Sequence, residues 1–296
     1  MAWRGVHVTE PAQLSLRERR LVVAQDDGEV ALPLEDLAWM VLDTPQVTAS
    51  AALLSACMEE GVAIVLSDAK HMPAGMLLPF HRHYAQAEVA RTQMSSSEPL
   101  KKRLWRAIVR RKLENQAANL DRGQIDGGNS LREMARRVKS GDPDNVEARG
   151  ARFYWGRLFD DFRRHDEADV RNTMLNYGYA VLRAATARAL VAAGLLPAFG
   201  IHHAGALNAF NLADDLLEVI RPLADWRVLN MADHGRPADD ARLGTDERRQ
   251  LAAIATETLI IDGEQMTVLP ALDRVTASLV RALSGDGDKA LRLPHL

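Results

Sequence analysis

The chain has 296 residues, a formal net charge of −3, an apolar fraction of 47% and a single cysteine, Cys57. One cysteine excludes a disulfide framework and a thiolate metal cluster. No apolar stretch reaches membrane-spanning length, and the start, MAWRGVHVTE, lacks the basic and apolar regions of a secretory leader. These features predict a soluble, cytoplasmic protein without a membrane partner, long enough for two domains.

The first eighty residues read as β-rich. QLSLRERRLVVAQ and EVALPLEDLAWMVLD flank Asp26-Asp27-Gly28, and Asp-Gly between two apolar runs signals a hairpin. TASAALLSACMEEG predicts a short helix closed by Gly61, with Cys57 as a small core residue, and VAIVLSD a buried strand. An open edge of such a sheet is a natural dimer contact. SSSEP at 95–99 places serines and a proline where a helix should begin. That helix opens with KKRLWRAIVRRK at 101–112, a run without an acid. Lys102, Arg106 and Arg110 form one stripe at steps of four, while Leu104, Ile108 and Leu113 form the side to be buried. The stripe is either a solvated helix face or a surface for nucleic-acid phosphates.

DRGQIDGGNS at 121–130 reads as a loop. From about 144 onward the apolar spacing predicts helix almost throughout, with breaks at Gly194–Pro197, around Asn208 and over 234–247. Residues 168–194 should form one long helix. A glycine inside it, Gly178, is unfavourable by about 1 kcal/mol relative to Ala and so points to close approach of another helix or a ligand. The final GDGDKALRLPHL reads as a mobile tail. The expected fold class is α+β in two domains. A small β-rich N-terminal dimerisation lobe spans 1–80, a linker 81–100, and a larger, all-helical C-terminal catalytic domain 101–296.

The chemistry concentrates in GIHHAGALNAFNLADDLLEVIRP, residues 200–222. His203 and Glu218 would lie about 22 Å apart along one continuous helix, so they share a site only if the chain turns at GALNAFN. Asn211 suits the N-cap of the following helix. Asp214 and Asp215 fall in its first turn, where the helix dipole favours acids, and a capping role accounts well for Asp214. Glu218 lies a full turn further in among Leu216, Leu217, Val219 and Ile220, where capping cannot account for it and an unpaired buried carboxylate would be costly. His202 should point elsewhere. A further acid, Glu147, stands three residues after Asp144, so a capping box is one reading of it. Taken together, Glu147, His203 and Glu218 make a mixed nitrogen–oxygen set suited to Mg²⁺ or Mn²⁺.

At these residues the chain resembles the CRISPR-associated spacer-acquisition integrase family, the Cas-one proteins, in the form found beside single-effector (type II) nucleases. NVEARGARFYW is similar to the family's Asn-x-Glu segment and implies a metal ligand at Glu147. NTMLNYGYAVL is similar to its Asn-x-x-Leu-Asn-Tyr-Gly-Tyr helix, and 200–222 to its His…Asn-Leu-Ala-x-Asp-Leu-x-Glu segment. The resemblance implies His203 and Glu218 as the other catalytic ligands, with Asp215 as an auxiliary acid. Where many relatives carry Asp, Glu218 is a mark of the subtype. The implied reaction joins 3′-hydroxyl ends of short double-stranded DNA to the edges of CRISPR repeats. The implied partners are a second copy, a small Cas-two protein and the effector nuclease of the same system. Lys102, Arg106, Arg110, Arg149 and Arg152 would contact DNA. The alternatives are a nuclease that cuts branched or single-stranded DNA without joining, and a DNA-binding scaffold whose carboxylates only cap helices.

Overall fold

The N-terminal lobe pairs two four-stranded sheets in a computed structural model that describes residues 4–79, 83–164, 166, 168–232 and 243–296. In chain order it contains β1 (Arg4–Val8), β2 (Ala12–Arg17), β3 (Arg20–Gln25), β4 (Gly28–Pro33), β5 (Leu37–Leu42), β6 (Val47–Ala49), α1 (Ala51–Glu60), β7 (Ala63–Ser67) and β8 (Pro73–Leu77). The first sheet runs β1-β5-β7-β8, with β8 antiparallel to an otherwise parallel set; the second runs β4-β3-β2-β6. The Asp26-Asp27 turn joins β3 to β4 as expected. A second tight turn lies hidden inside QLSLRERRLVVAQ, where Glu18 and Arg19 both adopt left-handed backbone (φ 50° and 58°) between β2 and β3. Neither residue type favours that conformation. The strand pairing on either side imposes it.

α1 has the expected caps: the Ser50 hydroxyl accepts from Leu53 N at 3.2 Å, and Gly61 closes the helix at φ 77°. Alternation along β5 and β7 then divides two cores. Met40 and Ile64 face the lobe's own core with Leu14, Leu21, Leu53 and Cys57, whereas Trp39, Val41, Ala63 and Val65 face the helices. Across the same junction Asp43 is fully buried; its Oδ2 lies 3.0 Å from His7 Nε2 and 2.5 Å from Arg248 Nε.

The helices are α2 (Gln86–Met94), α3 (Glu98–Arg122), α4 (Gly128–Arg137), α5 (Val146–Leu158), α6 (Val170–Ala192), α7 (Asn211–Ala232), α8 (Thr245–Ala252) and α9 (Val268–Arg281). α3 starts at Ser97 with Pro99 in its first turn, runs 25 residues, and packs against α4, α5 and α7. Because α4 begins at Gly128, the loop expected over 121–130 shrinks to 123–127. Gly178 marks where α6 meets its neighbours: a Cβ there would lie 3.1 Å from both Ala224 Cβ and Ile254 Cδ1. α7 contains Pro222, whose missing N–H interrupts the helical ladder. Nearby, Asn115 and Asn119 of α3 donate to Val219 O at 2.8 Å and Pro222 O at 2.7 Å.

The all-helical expectation for the C-terminal domain is overturned. β9 (Thr258–Ile261) and β10 (Glu264–Thr267) form an antiparallel hairpin after α8, turning at Asp262-Gly263 with φ 52° and 82°. This is the Asp-Gly signal of a two-residue hairpin turn, set in a stretch whose apolar run was read as helical. Nor is 285–296 a loose tail. His295 bridges to Ile260, Asn115 donates to Pro294 O at 3.2 Å, and Arg103 pairs with Asp288 at 2.8 Å. The break expected over 234–247 lies, as far as residue 242, outside the described residues, as does the boundary expected at 80–81. Among the described residues, no helix is long and apolar enough to cross a membrane.

Candidate active site

Three helices bring distant charges together. Asp142 starts α5 by accepting from the backbone N–H groups of Val146 and Glu147, both at 2.9 Å, and Asn145 accepts from Ala148 N. Asp144 instead pairs with Lys139. No capping box therefore occupies the Glu147 side chain, which reaches across to α3, where Lys112 Nζ lies 2.5 Å from its Oε1. The same ammonium donates to Glu218 Oε2 on α7, and Arg221 Nε holds the other oxygen, Oε1, at 2.6 Å. Burial alone would push the Glu218 carboxyl up, but the charges of Arg221 and Lys112 outweigh it and hold the group at about 2. Burial likewise disfavours the Lys112 ammonium, yet Glu218 and Glu147 raise its pKa above the ordinary lysine value.

The turn required between His203 and Glu218 is present, and two side chains build it. Asn211 is the first residue of α7, and its amide donates to the carbonyls of Ala198, Gly205 and Asn208 and accepts from Gly205 N. Asp215, fully buried, accepts from three consecutive backbone N–H groups: Ile201 at 2.5 Å, and His202 and His203 each at 3.1 Å. It also takes His203 Nδ1 at 2.7 Å. That hydrogen bond is the leading cause of a raised His203 pKa, with the charges of Asp215, Glu218 and Asp214 adding to it. With Nδ1 engaged by a carboxylate, Nε2 is the nitrogen left for a ligand. A Cβ on Gly200 would fall 2.2 Å from His203 O, so the loop requires glycine there. His202 turns away from Asp215 and stacks on Trp105, 4.1 Å between ring centroids and 6° from parallel. Asp214 does not cap the helix either: it forms a two-point ion pair with Arg183 at 2.7 and 3.0 Å and receives Asn208 Nδ2.

A cavity of about 250 Å³ opens beside the carboxylates, lined by Lys112, Gln116, Glu147, Glu218, Arg221 and Asp225 among others. His203 is not in its lining, and among the described residues no three His, Cys, Asp or Glu side chains converge as they stand on one metal position. Glu147 and Glu218 do converge, on a cation supplied by the chain itself. Two carboxylates sharing a buried cation are oxygen donors that fit Mg²⁺ or Mn²⁺, and the charge of Glu218 reaches His203, whose pKa it helps to raise.

Sequence reasoning missed several of the cavity residues. Lys112 was counted with the basic run, although its place four residues after Ile108 and beside Leu113 already put it on the buried side of α3. Arg221 stacks its guanidinium 4.5 Å above the Tyr179 ring. The Tyr179 hydroxyl donates to Asp225, and burial is what lifts that acid to about 7. Of the expected DNA contacts, Lys102, Arg110, Arg149 and Arg152 are exposed, while Arg106 is half-buried and paired with Asp288 at 3.7 Å.

A mixed-sheet lobe packed against helices that bring two acids onto one buried ammonium, with Arg149 and Arg152 exposed on the same helix as Glu147, fits an enzyme that acts on phosphodiesters. The family model "CRISPR associated protein Cas1" matches residues 6–253, and the chain belongs to the Cas1 family. It is 38% identical to the CRISPR-associated endonuclease Cas1 of Neisseria meningitidis serogroup C (strain 8013), over 100% of this chain and 97% of that protein. Its activity class is that of a CRISPR-associated endonuclease. The fold is similar to that of a casposase bound to integration product (TM-score 0.76, 18% identity, 95% of this chain and 89% of that one). It is also similar to a chain of a Cas6-RT-Cas1–Cas2 complex (TM-score 0.75, 18% identity), where it covers 98% of this chain and 36% of the larger one.

Proposed function

We propose that the chain joins the 3′-hydroxyl ends of short double-stranded DNA to CRISPR repeat edges by transesterification, with Glu147, His203 and Glu218 holding Mg²⁺ or Mn²⁺. The convergence of Glu147 and Glu218 on one buried cation, beside a histidine oriented by Asp215, carries this reading. When bound, the ion supplies charge neutralisation at the phosphate and a more nucleophilic hydroxyl. The chain's own residues prepare the site. Arg221 and Lys112 keep Glu218 ionised against the cost of its burial, and Asp215 holds the His203 tautomer with Nδ1 protonated and Nε2 free. In the exchange one phosphorus–oxygen bond forms to the 3′-oxygen, another breaks, and the departing oxygen takes up a proton, so no nucleotide need be hydrolysed.

Lys102, Arg106, Arg110, Arg149 and Arg152 would hold backbone phosphates, and affinity for DNA should fall steeply as salt rises through counterion release. The lobe of residues 1–80 remains the dimerisation element, and the division at 100 moves to the start of α3 at Glu98: β4 presents an open, exposed edge, with Val30 58% exposed. The neighbours point the same way, one bound to an integration product and one within an assembly containing Cas2. Two copies bridged by a small Cas-two partner would set the distance between two joining sites.

The test is integration of a fluorescent duplex with free 3′-hydroxyl ends into supercoiled plasmid carrying the repeat, with Mn²⁺ and the partner. Joined product that disappears with His203→Ala is expected. Cleavage without joining would assign a plain nuclease, and joining that survives His203→Ala would remove the histidine from the chemistry.

A further inference from the structure

The geometry points to Lys112 as a built-in competitor for the metal position, released by a DNA phosphate, so that metal and DNA bind cooperatively. The inference rests on the reading of Glu147 and Glu218 as metal ligands. Its basis is a cation that is already in the way. The Lys112 side chain is 7% exposed, and its ammonium donates to one oxygen of Glu147 and one of Glu218. A divalent ion bound through those oxygens would sit within a few ångströms of that ammonium. At such a distance in a buried site the repulsion of like charges is severe, so the two occupants exclude each other.

Lysine is the member of the cluster built to move. Arg221 is fixed by its contact with the Tyr179 ring and its bond to Glu218 Oε1, whereas Lys112 carries a compact charge on a flexible four-carbon stem. A destination is also present. Gln116 lies one turn further along the same face of α3 and is 2% exposed. Among the described residues its Oε1 is buried without a hydrogen-bond partner, in a cavity that Lys112 also lines. An orphan acceptor next to a displaced donor lowers the cost of displacement, because its own desolvation is then compensated. A phosphate entering this cavity of about 250 Å³ would supply the negative charge that the ammonium gives up on leaving the carboxylates. Without DNA the lysine holds both carboxylates and divalent ions bind weakly. With DNA they bind tightly, and by linkage the ion strengthens DNA binding by the same factor.

The experiment measures Mn²⁺ binding to the full chain by electron paramagnetic resonance of the free ion. It is run with and without a duplex whose 3′ ends lack hydroxyls, so no chemistry contributes. For the wild type, DNA should tighten Mn²⁺ binding by about tenfold, which is within the usual range of coupling. Lys112→Met should bind Mn²⁺ tightly without DNA and gain little from it. Lys112→Arg, which keeps a cation between the carboxylates, should bind more weakly than wild type without DNA. If Lys112→Met is unstable without metal, a larger Mn²⁺-induced rise in Tm than in the wild type supports the same conclusion. Lys112→Met that binds Mn²⁺ no more tightly than the wild type, or keeps its full response to DNA, overturns the inference. Glu147→Gln and Glu218→Gln separate the two levels. If both bind Mn²⁺ like the wild type, the ligand reading itself fails; if both lose binding while Lys112→Met changes nothing, only the competitor role fails.

Discussion

Asp215→Asn offers a direct test of how the His203 loop is held. The carboxylate accepts two donors on each oxygen: Ile201 N and His202 N on Oδ2, His203 N and His203 Nδ1 on Oδ1. An asparagine whose NH₂ group faces Ile201 N and His202 N loses both bonds; turned the other way it loses the bond to His203 N and keeps Nδ1 only by reversing the imidazole tautomer. The remaining donors then meet a neutral oxygen, and with about 1.5–3 kcal/mol for a bond to a charged acceptor against about 0.5–1.5 for a neutral one, the loss is about 3–6 kcal/mol. The lost bonds are confined to this loop, so hydrogen exchange of the 201–203 amides reports the change better than global unfolding. Their protection should fall by about a hundredfold or more, since each 1.4 kcal/mol is a factor of ten. The His203 pKa, raised chiefly by its bond to Asp215, should return toward its ordinary value of 6.5 in an NMR titration. Unchanged exchange at Ile201 and His203, with an unchanged His203 titration, would refute the idea that Asp215 organises this loop.

Burial lifts the Asp225 carboxyl from an ordinary 3.8 to about 7, so between those values the native state binds more protons than the unfolded chain. Stability contributed this way is present below the unfolded pKa and is lost as pH rises toward 7. Asp225→Asn should flatten that slope and raise stability at pH 8 by up to about 4 kcal/mol, at 1.36 kcal/mol per pH unit. Urea midpoints at pH 5.5 and pH 8 decide it, and a variant weaker than wild type at pH 8 counts against it. Gly178→Ala should destabilise by about 1 kcal/mol in denaturant titrations: helix propensity favours alanine by about 1 kcal/mol, but overpacking costs about 1–3 kcal/mol. The added methyl would press on Ala224 Cβ, which is tied to its backbone. Removing exposed cations by Lys102→Ala or Arg110→Ala should lower the slope of log affinity against log salt by about one each, without changing the thermal midpoint. A slope equal to the wild type's takes that residue off the DNA path.

Local chemistry explains why much of the layout could be read before the fold was known. Ser50 and Gly61 cap α1, Ser97 and Pro99 open α3, and the turn after β3 falls at Asp26-Asp27, because caps and turns are satisfied by neighbours a few residues away. Gly178 announced a helix crossing by its mere presence in a helix. The Asp262-Gly263 turn was equally visible, but the short strands around it were outweighed by helical periodicity on both sides. Glu18-Arg19 carried no such signal, since only pairing of β2 with β3 forces its left-handed backbone.

The motifs placed Glu147, His203 and Glu218 on their segments, and the apolar neighbours of Glu218 required a cation or strong donors for it; Lys112 and Arg221 are what it has. Which cation, and which acid serves which partner, only the tertiary structure decided. Asp214 and Asp215 are adjacent and chemically identical, yet one is bound by Arg183 and the other by a loop of backbone amides. Lys112 meets its carboxylates 35 and 106 residues away. A charge's partner is set by the packing of whole helices, and spacing along the chain contains no term for it.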